Sequence, residues 1–259
     1  SKSPQVHGHW LAKYGLAGHY IPLDVESRNL KKVIKAMPKM GFVGANVTIP
    51  HKERILEFVH QVTDRATLIG AVNTLIFRED GNVIGDNTDG YGFIENLRQG
   101  APDWQADLGP AVVLGAGGAA RAVVASLLEA GVPEILITNR TQVRAEALRE
   151  DFGTRLKVVD WVQAGNILEN GATIVNTTSL GMAGKAELKV PLDGLQKGAV
   201  VTDLVYNPLQ TQFLAEAAQM GCTTVDGLGM LLHQAVPGFE RWFGVRPEVT
   251  DATRQAALA

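Results

Sequence analysis

The chain has 259 residues, enough for two modest domains, and its 46% hydrophobic and 20% charged content is ordinary for a globular protein. Its 24 Lys and Arg against 27 Asp and Glu leave a net charge of −3 with no basic block, which argues against nucleic acid or an anionic membrane as the partner. Apolar runs stop well short of a membrane span, no secretory signal is visible, and the single cysteine, Cys222, excludes an internal disulfide and fits a reduced, cytoplasmic setting.

The first residues, Ser1-Lys2-Ser3-Pro4, come without a methionine and without a strand ahead of them, as expected of a sequence that lacks its natural start. Residues 1–17 predict a helix with Ser3 as N-cap and Pro4 at the first helical position, where its missing N–H costs nothing. Residues 19–25, HYIPLDV, predict a strand, 29–37 a helix stopped by Pro38, and 42–49, FVGANVTI, a second strand running into Pro50-His51-Lys52. From Pro50 onward PHKERILEFV has a helical pattern. Residues 74–77 and 83–85 flank Asp80-Gly81-Asn82 as a hairpin, 86–89 form a polar turn, and 91–98 resume as a helix.

Between residues 99 and 110 the pattern loosens into Gly, Pro and acidic residues, the mark of a domain boundary. Strands at 111–114, 134–138, 157–159, 174–176, 200–203 and 223–225 then alternate with helices at 119–130, 142–152 and 208–220. That alternation implies βαβ units, a parallel sheet and right-handed crossovers. The last predicted helix, 228–243, is too apolar to stand alone and is expected to return to the N-terminal part.

Residues 112–122, VVLGAGGAARA, carry the densest signal. A β-branched run stops at glycine and a helix follows, with Gly115, Gly117 and Ala120 in G-x-G-x-x-A register. The first small residue allows a tight turn, the second a close approach of backbone to a pyrophosphate, the third close helix-on-strand packing. The free N–H groups and positive dipole end of the helix suit the phosphates. At the end of the next strand an NAD site would carry Asp or Glu for the ribose 2′-hydroxyl. This chain has Asn139-Arg140-Thr141, with Arg144 one turn further, and guanidinium groups there suit a 2′-phosphate. The expected cofactor is therefore NADP(H).

Lys52 falls in the first turn of its predicted helix, where the dipole disfavours a cation by a few tenths to about 1 kcal/mol. Asp89 falls at the start of another helix and, taken alone, reads as an N-cap. Both follow polar turns at the ends of apolar strands, among Asn46, Thr48, Asn73, Thr74, Asn87 and Thr88, neutral hydrogen-bonding groups suited to a polyhydroxylated ligand. A Lys–Asp pair beside an NADP cleft can relay the proton that a developing alkoxide needs. His7 and His9 face different sides of their helix and do not read as a metal site, while His51 and His233 read as packing groups.

Together, Ser1-Lys2-Ser3-Pro4, Asn46-Val47-Thr48-Ile49-Pro50-His51-Lys52, Gly70-Ala71-Val72-Asn73-Thr74, Asn87-Thr88-Asp89-Gly90, Gly115-Ala116-Gly117-Gly118-Ala119-Ala120-Arg121, Asn139-Arg140-Thr141 and Gly227-Leu228-Gly229-Met230-Leu231 resemble the shikimate dehydrogenase family, in order and along essentially the whole chain. The resemblance implies reduction of 3-dehydroshikimate to shikimate by NADPH, a step of chorismate and aromatic amino acid biosynthesis. It implies an α/β fold of two domains: a substrate-binding domain at 1–100, a Rossmann-type doubly wound NADP domain at 101–226, and a C-terminal helical segment at 227–259 on the substrate domain, with the active site in the cleft. Lys52 and Asp89 would be the catalytic pair. Ser1, Ser3 and Tyr206 would hold the substrate carboxylate, and Thr48, Asn73 and Gln234 would read the ring hydroxyls. Gly115, Ala116, Gly117, Gly118, Ala119, Asn139, Arg140, Thr141 and Arg144 would bind NADP, with Thr177 and Gly227 at the nicotinamide end. No metal is implied, and the molecule would be a monomer or homodimer. The family carries a first strand ahead of its Ser-x-Ser segment that this sequence lacks. The alternatives are a quinate/shikimate enzyme using NAD or NADP, a folate-pathway dehydrogenase, and a non-catalytic NADP- or shikimate-binding regulator.

Overall fold

The computed structural model describes all of residues 1–259 and divides into two compact units, Ser1–Gly92 with Leu231–Ala259, and Phe93–Met230. The chain passes from one unit to the other inside two helices, not in the loose stretch at 99–110.

Unit one holds α1 (Ser3–Lys13), α2 (Leu30–Ala36), β1 (Gly44–Asn46), β2 (Gln61–Val62), α3 (Asp64–Ile69), β3 (Thr74–Phe77), β4 (Val83–Asp86) and the start of α4 (Asp89–Gly100). Its sheet has the order β1-β3-β4-β2, antiparallel except for the β2–β4 pair. The 74–77 and 83–85 hairpin is the centre of this sheet. Leu30, Ile34, Ile55, Val72 and Leu75 fill the core on it.

Three local expectations are corrected here. Lys2, not Ser3, occupies the N-cap of α1, and Ser1 Oγ accepts from the Ser3 N–H at 3.2 Å. Residues 19–25 form no strand: Pro22 offers no N–H, and Ile21 and Leu23 stay exposed. The helix expected from Pro50 is absent. The Lys52 carbonyl, which a helix would give to residue 56, accepts instead from Val72 N–H at 2.8 Å, and Leu56 N–H closes a tighter turn onto Glu53. Only a 3-10 turn, Arg54–Glu57, remains.

Unit two holds most of α4, then β5 (Ala111–Leu114), α5 (Gly118–Ala130), β6 (Ile135–Thr138), α6 (Gln142–Phe152), β7 (Leu156–Val159), α7 (Ala164–Ile167), β8 (Thr173–Asn176), β9 (Val200–Asp203), α8 (Gln212–Gln219) and β10 (Thr223–Val225). The six strands are all parallel in the order β10-β9-β8-β5-β6-β7, which reverses direction at β5/β8. Every residue of β5, β8 and β9 is buried, as a sheet covered on both faces requires. One apolar cluster, with Val113, Val123, Leu127, Ile135 and Leu148, covers one face, and another, with Val112, Leu114, Ile174, Val201 and Phe213, the other.

The chain then forms α9 (Leu228–Phe243), which begins in unit two, and α10 (Asp251–Leu258). Within unit one α10 lies against α1. The sequence carried its signal, a Thr250–Thr253 capping box, unread. No helix is long and apolar enough to cross a membrane.

Candidate active site

In unit one the sequence delivers four polar groups to one place. The loss of the helix after Pro50 ties the Lys52 main chain to Val72, beside Asn73, so the side chain meets Asp89: Lys52 Nζ lies 2.7 Å from Asp89 Oδ2. The dipole argument for Lys52 therefore has no helix to rest on. Asp89 is the first residue of α4 and not its cap, because Asn87 Oδ1 accepts the Asp89 N–H at 3.0 Å and Thr88 C=O takes the first helical bond from Gly92. Its carboxylate is thus left for other partners.

Asn73 is the hub. Its Nδ2 faces Asp89 Oδ1 at 2.8 Å, Thr88 Oγ1 at 3.0 Å and Gln234 Oε1 at 3.1 Å, while its Oδ1 accepts from Thr74 Oγ1 and Thr88 N–H, each at 2.9 Å. Thr88 Oγ1 donates to the Gln234 carbonyl at 2.8 Å. Asn73 and Thr88 are fully buried, whereas Lys52 keeps 28% and Asp89 16% of its side-chain surface. The outcome is a rigid amide and hydroxyl shelf ending in an accessible ammonium held by a carboxylate, suited to orienting hydroxyls and exchanging a proton with one of them.

Of the other expected substrate groups in this unit, Ser1 Oγ donates to Ser3 Oγ at 3.1 Å, and Thr48 is exposed with its hydroxyl unpaired. Tyr206 belongs to unit two, where it follows β9 and is exposed.

In unit two the glycine turn works through backbone and empty space. Gly115 has φ +108°, and a Cβ there would lie 2.7 Å from Thr177 Oγ1, so only glycine fits. Gly117 caps α5, and a Cβ on Gly117 or Gly118 would meet nothing within 4 Å. Residues 117–119 are exposed, leaving the first N–H groups of α5 open to a phosphate. Asn139 is committed to shaping this turn: its Oδ1 accepts from Ala116 N–H at 3.1 Å and its Nδ2 donates to the Thr141 carbonyl at 2.8 Å. Arg140 and Arg144 are exposed and their guanidinium groups have no partner, and Thr141 sits at the N-cap of α6 with its hydroxyl unused by the helix. Thr177 Oγ1 donates to the Leu114 carbonyl at 2.9 Å, and Gly227 lies so close to the Leu204 carbonyl that a Cβ would be 2.5 Å from it. Open main-chain donors, two unpaired guanidiniums and no carboxylate at the end of β6 fit a dinucleotide with a 2′-phosphate.

Two buried aspartates escaped the sequence reading. Asp86, at the end of β4, takes Arg65 in a two-point pair at 2.7 and 2.5 Å, Thr63 Oγ1 at 2.7 Å and Arg241 at 2.9 Å. Burial would push its carboxyl up, but the hydrogen bonds of Arg65 and Thr63 and the two positive charges hold it down, at about 2. Asp203, at the end of β9, accepts from Asn176 Nδ2, Val205 N–H and Thr211 Oγ1 at 2.8 to 3.0 Å. With no positive charge beside it, burial outweighs these donors and pushes it up to about 6. Nothing local in sequence distinguishes them, since their partners lie up to 155 positions away.

A doubly wound sheet with an open glycine turn, in a chain whose other unit carries a lysine–carboxylate pair among hydroxyl-reading amides, defines a nicotinamide-dependent oxidoreductase. Family models match in chain order: the shikimate dehydrogenase substrate binding domain at 1–75, shikimate/quinate 5-dehydrogenase at 105–183, and the shikimate 5′-dehydrogenase C-terminal domain at 227–258. A shikimate dehydrogenase (NADP(+)) of Cereibacter sphaeroides is 67% identical over 259 residues, covering 100% of this chain and 93% of that protein. Among solved structures, quinate dehydrogenase from Corynebacterium glutamicum in complex with NAD has a TM-score of 0.92 at 30% identity, covering 100% of this chain and 94% of that one. Shikimate 5-dehydrogenase from Thermus thermophilus, in complex with NADP(H) and shikimate, has a TM-score of 0.89 at 37% identity, again covering 100% and 94%. The chain belongs to the shikimate dehydrogenase family.

Proposed function

We propose that this chain interconverts 3-dehydroshikimate and shikimate with NADP, and that Lys52 and Asp89 move the proton. The observation that carries the second part is the 2.7 Å contact between Lys52 Nζ and Asp89 Oδ2 at the end of the Asn73 shelf. NADPH, when bound, supplies the hydride that reduces the ketone.

Lys52 is then the donor to the oxygen that becomes a hydroxyl, and in the oxidative direction the acceptor of that proton. Asp89 fixes the ammonium and compensates its charge, and Asn73, bonded to the other carboxylate oxygen, fixes Asp89. Asn73, Gln234 and Thr48 read the ring hydroxyls, and Ser1, Ser3 and Tyr206 take the carboxylate. Gly117, Gly118 and Ala119 would hold the pyrophosphate through main-chain N–H groups, with Gly115 and Ala116 shaping the turn, since their own N–H groups go to the Thr138 carbonyl and Asn139 Oδ1. Arg140, Arg144 and Thr141 would take the 2′-phosphate with Asn139 shaping the turn, and Thr177 and Gly227 would serve the nicotinamide end. We place the reaction in the cytoplasm, within chorismate and aromatic amino acid biosynthesis.

The likeness to a quinate dehydrogenase in complex with NAD makes quinate and NAD⁺ the second reading. The test follows the reduced-nicotinamide absorbance band with shikimate or quinate, each with NADP⁺ or NAD⁺. Preferential turnover of shikimate with NADP⁺ is expected. Preference for quinate with NAD⁺ would move the assignment to the second reading, and binding of NADP⁺ without turnover of either substrate would leave a regulator.

A further inference from the structure

Tyr20 stands outside every role assigned so far, yet it lies between the Ser1–Ser3 end of unit one and the Asn73 shelf. It lies in the extended segment before α2, half-buried between two exposed residues, His19 and Ile21. Its hydroxyl donates to Asn46 Oδ1 at 2.9 Å, and the Ser3 side chain lies beside it. Asn46 Nδ2 in turn faces Thr74 Oγ1 and the Asn73 carbonyl, each at 3.2 Å, and Asn73 holds Asp89. One hydrogen-bonded chain therefore runs from Tyr20, beside Ser3, through Asn46 and Asn73 to the Lys52–Asp89 pair.

The ring end of Tyr20 is clamped as firmly. His7 stacks on it, centroids 4.2 Å apart and planes within 2°. His7 is wholly buried against Trp10, Phe239 and Trp242 at 5.6 to 5.9 Å, and neither of its ring nitrogens has a partner. Burial drives its pKa down to about 3, so it is a neutral flat spacer and not an acid or base. Burial also pushes the Tyr20 hydroxyl up to about 12 against the opposing effect of Ser3, which keeps the phenol protonated and a donor. A side chain with its ring fixed in an aromatic box and its hydroxyl fixed in a polar network has little rotamer freedom left to lose when substrate binds.

We propose that Tyr20 is a positioning residue for the substrate: its hydroxyl, beside Ser3, locks Asn46 in the orientation that receives the polar groups of a hydroxylated cyclic acid, and His7 holds the ring that carries it. The proposal rests on the reading of unit one as the shikimate-binding unit. Tyr20 is not a catalytic residue in this scheme, because it touches neither Lys52 nor Asp89.

The experiment is a double-mutant cycle on Tyr20→Phe and Asn46→Ala, assayed as shikimate oxidation with NADP⁺. Tyr20→Phe keeps the stacked ring and removes one oxygen. Its KM for shikimate is expected to rise about tenfold, the factor that one oriented hydrogen bond supplies, with kcat reduced less than threefold and the KM for NADP⁺ unchanged. Adding Tyr20→Phe to Asn46→Ala should cost less than a further twofold, since the same orientation is already lost. A shikimate KM within twofold of wild type, or factors that simply multiply in the double variant, would overturn the proposal. A merely structural role would lower the melting temperature without separating the two KM values. If Tyr20→Phe melts near the assay temperature, calorimetric titration with shikimate in the cold replaces kinetics, with the same tenfold criterion. A wild-type protein that neither binds nor oxidises shikimate would instead sink the reading of the unit on which this inference rests.

Discussion

Around Asn73 the chain meets polar side chains with other polar groups of its own, whereas around Gly115 it removes side chains and leaves polar atoms unmet. Asn73 alone meets Thr74, Thr88, Asp89 and Gln234, while Gly117, Gly118, Arg140 and Arg144 present open backbone and unpaired guanidiniums. On the proposed function the difference follows from the tasks. A proton relay requires groups fixed before the substrate arrives, because misorientation costs rate directly. A phosphate brings its own charge and acceptor oxygens, so the protein has only to leave donors free and space empty. The two buried aspartates repeat the contrast: Asp86 is neutralised by two arginines, Asp203 only solvated by neutral donors.

The sharpest way to break this division is Lys52→Ala. It should lower kcat for shikimate oxidation about a thousandfold, about 4 kcal/mol of barrier, while fluorescence titration with NADPH gives an unchanged Kd. Loss of cofactor affinity in that variant would mean that the two regions do not hold separate tasks. On the other side, Arg140→Ala should raise the KM for NADP⁺ about thirty- to a hundredfold, equivalent to about 2 to 3 kcal/mol, and leave the KM for NAD⁺ unchanged. Equal losses for both cofactors would remove Arg140 from the 2′-phosphate.

The aspartates make a smaller, pH-resolved test. Asp86, held below its usual value, contributes stability above about pH 4 that disappears as the pH falls towards 2, about 2 kcal/mol in all. Asp203, pushed up to about 6, acts in the opposite sense: its contribution is complete below about pH 4 and is lost as the pH rises through 6, again about 2 to 3 kcal/mol. In denaturant titrations the advantage of wild type over Asp86→Asn should therefore shrink on acidification from pH 4. The advantage over Asp203→Asn should shrink between pH 4 and 7. Parallel pH profiles for the two variants would contradict the contrast in their surroundings.

Unit two was legible in detail because its signals are local. A β-branched run, a glycine turn and an amphipathic helix each stabilise themselves within a few residues, and β9, β10 and α6 fall where the pattern placed them. The residue types of the unit-one site were legible too, through motifs naming Lys52, Asn73, Asp89 and Gln234. Their supports were not. The helix expected after Pro50 gave way to one long-range bond from Val72, the strand expected at 19–25 had no partner to pair with, and the ties of Asp86 to its arginines and of Tyr20 to Asn46 join residues 21 to 155 positions apart.

The amino-acid sequence by itself determined the family, the parallel sheet, the glycine turn and the preference for a phosphorylated cofactor. The family is carried by the resemblance of its ordered motifs, and the rest is written in short-range periodicity, turn chemistry and the charge of neighbouring residues. Only the tertiary structure decided that Lys52 meets Asp89, that Asn73 is the hub between them and Gln234, and that two buried aspartates are shifted in opposite directions from the ordinary carboxylate range. Contact between side chains distant in sequence, and the loss of water around them, come into being only when the chain is packed.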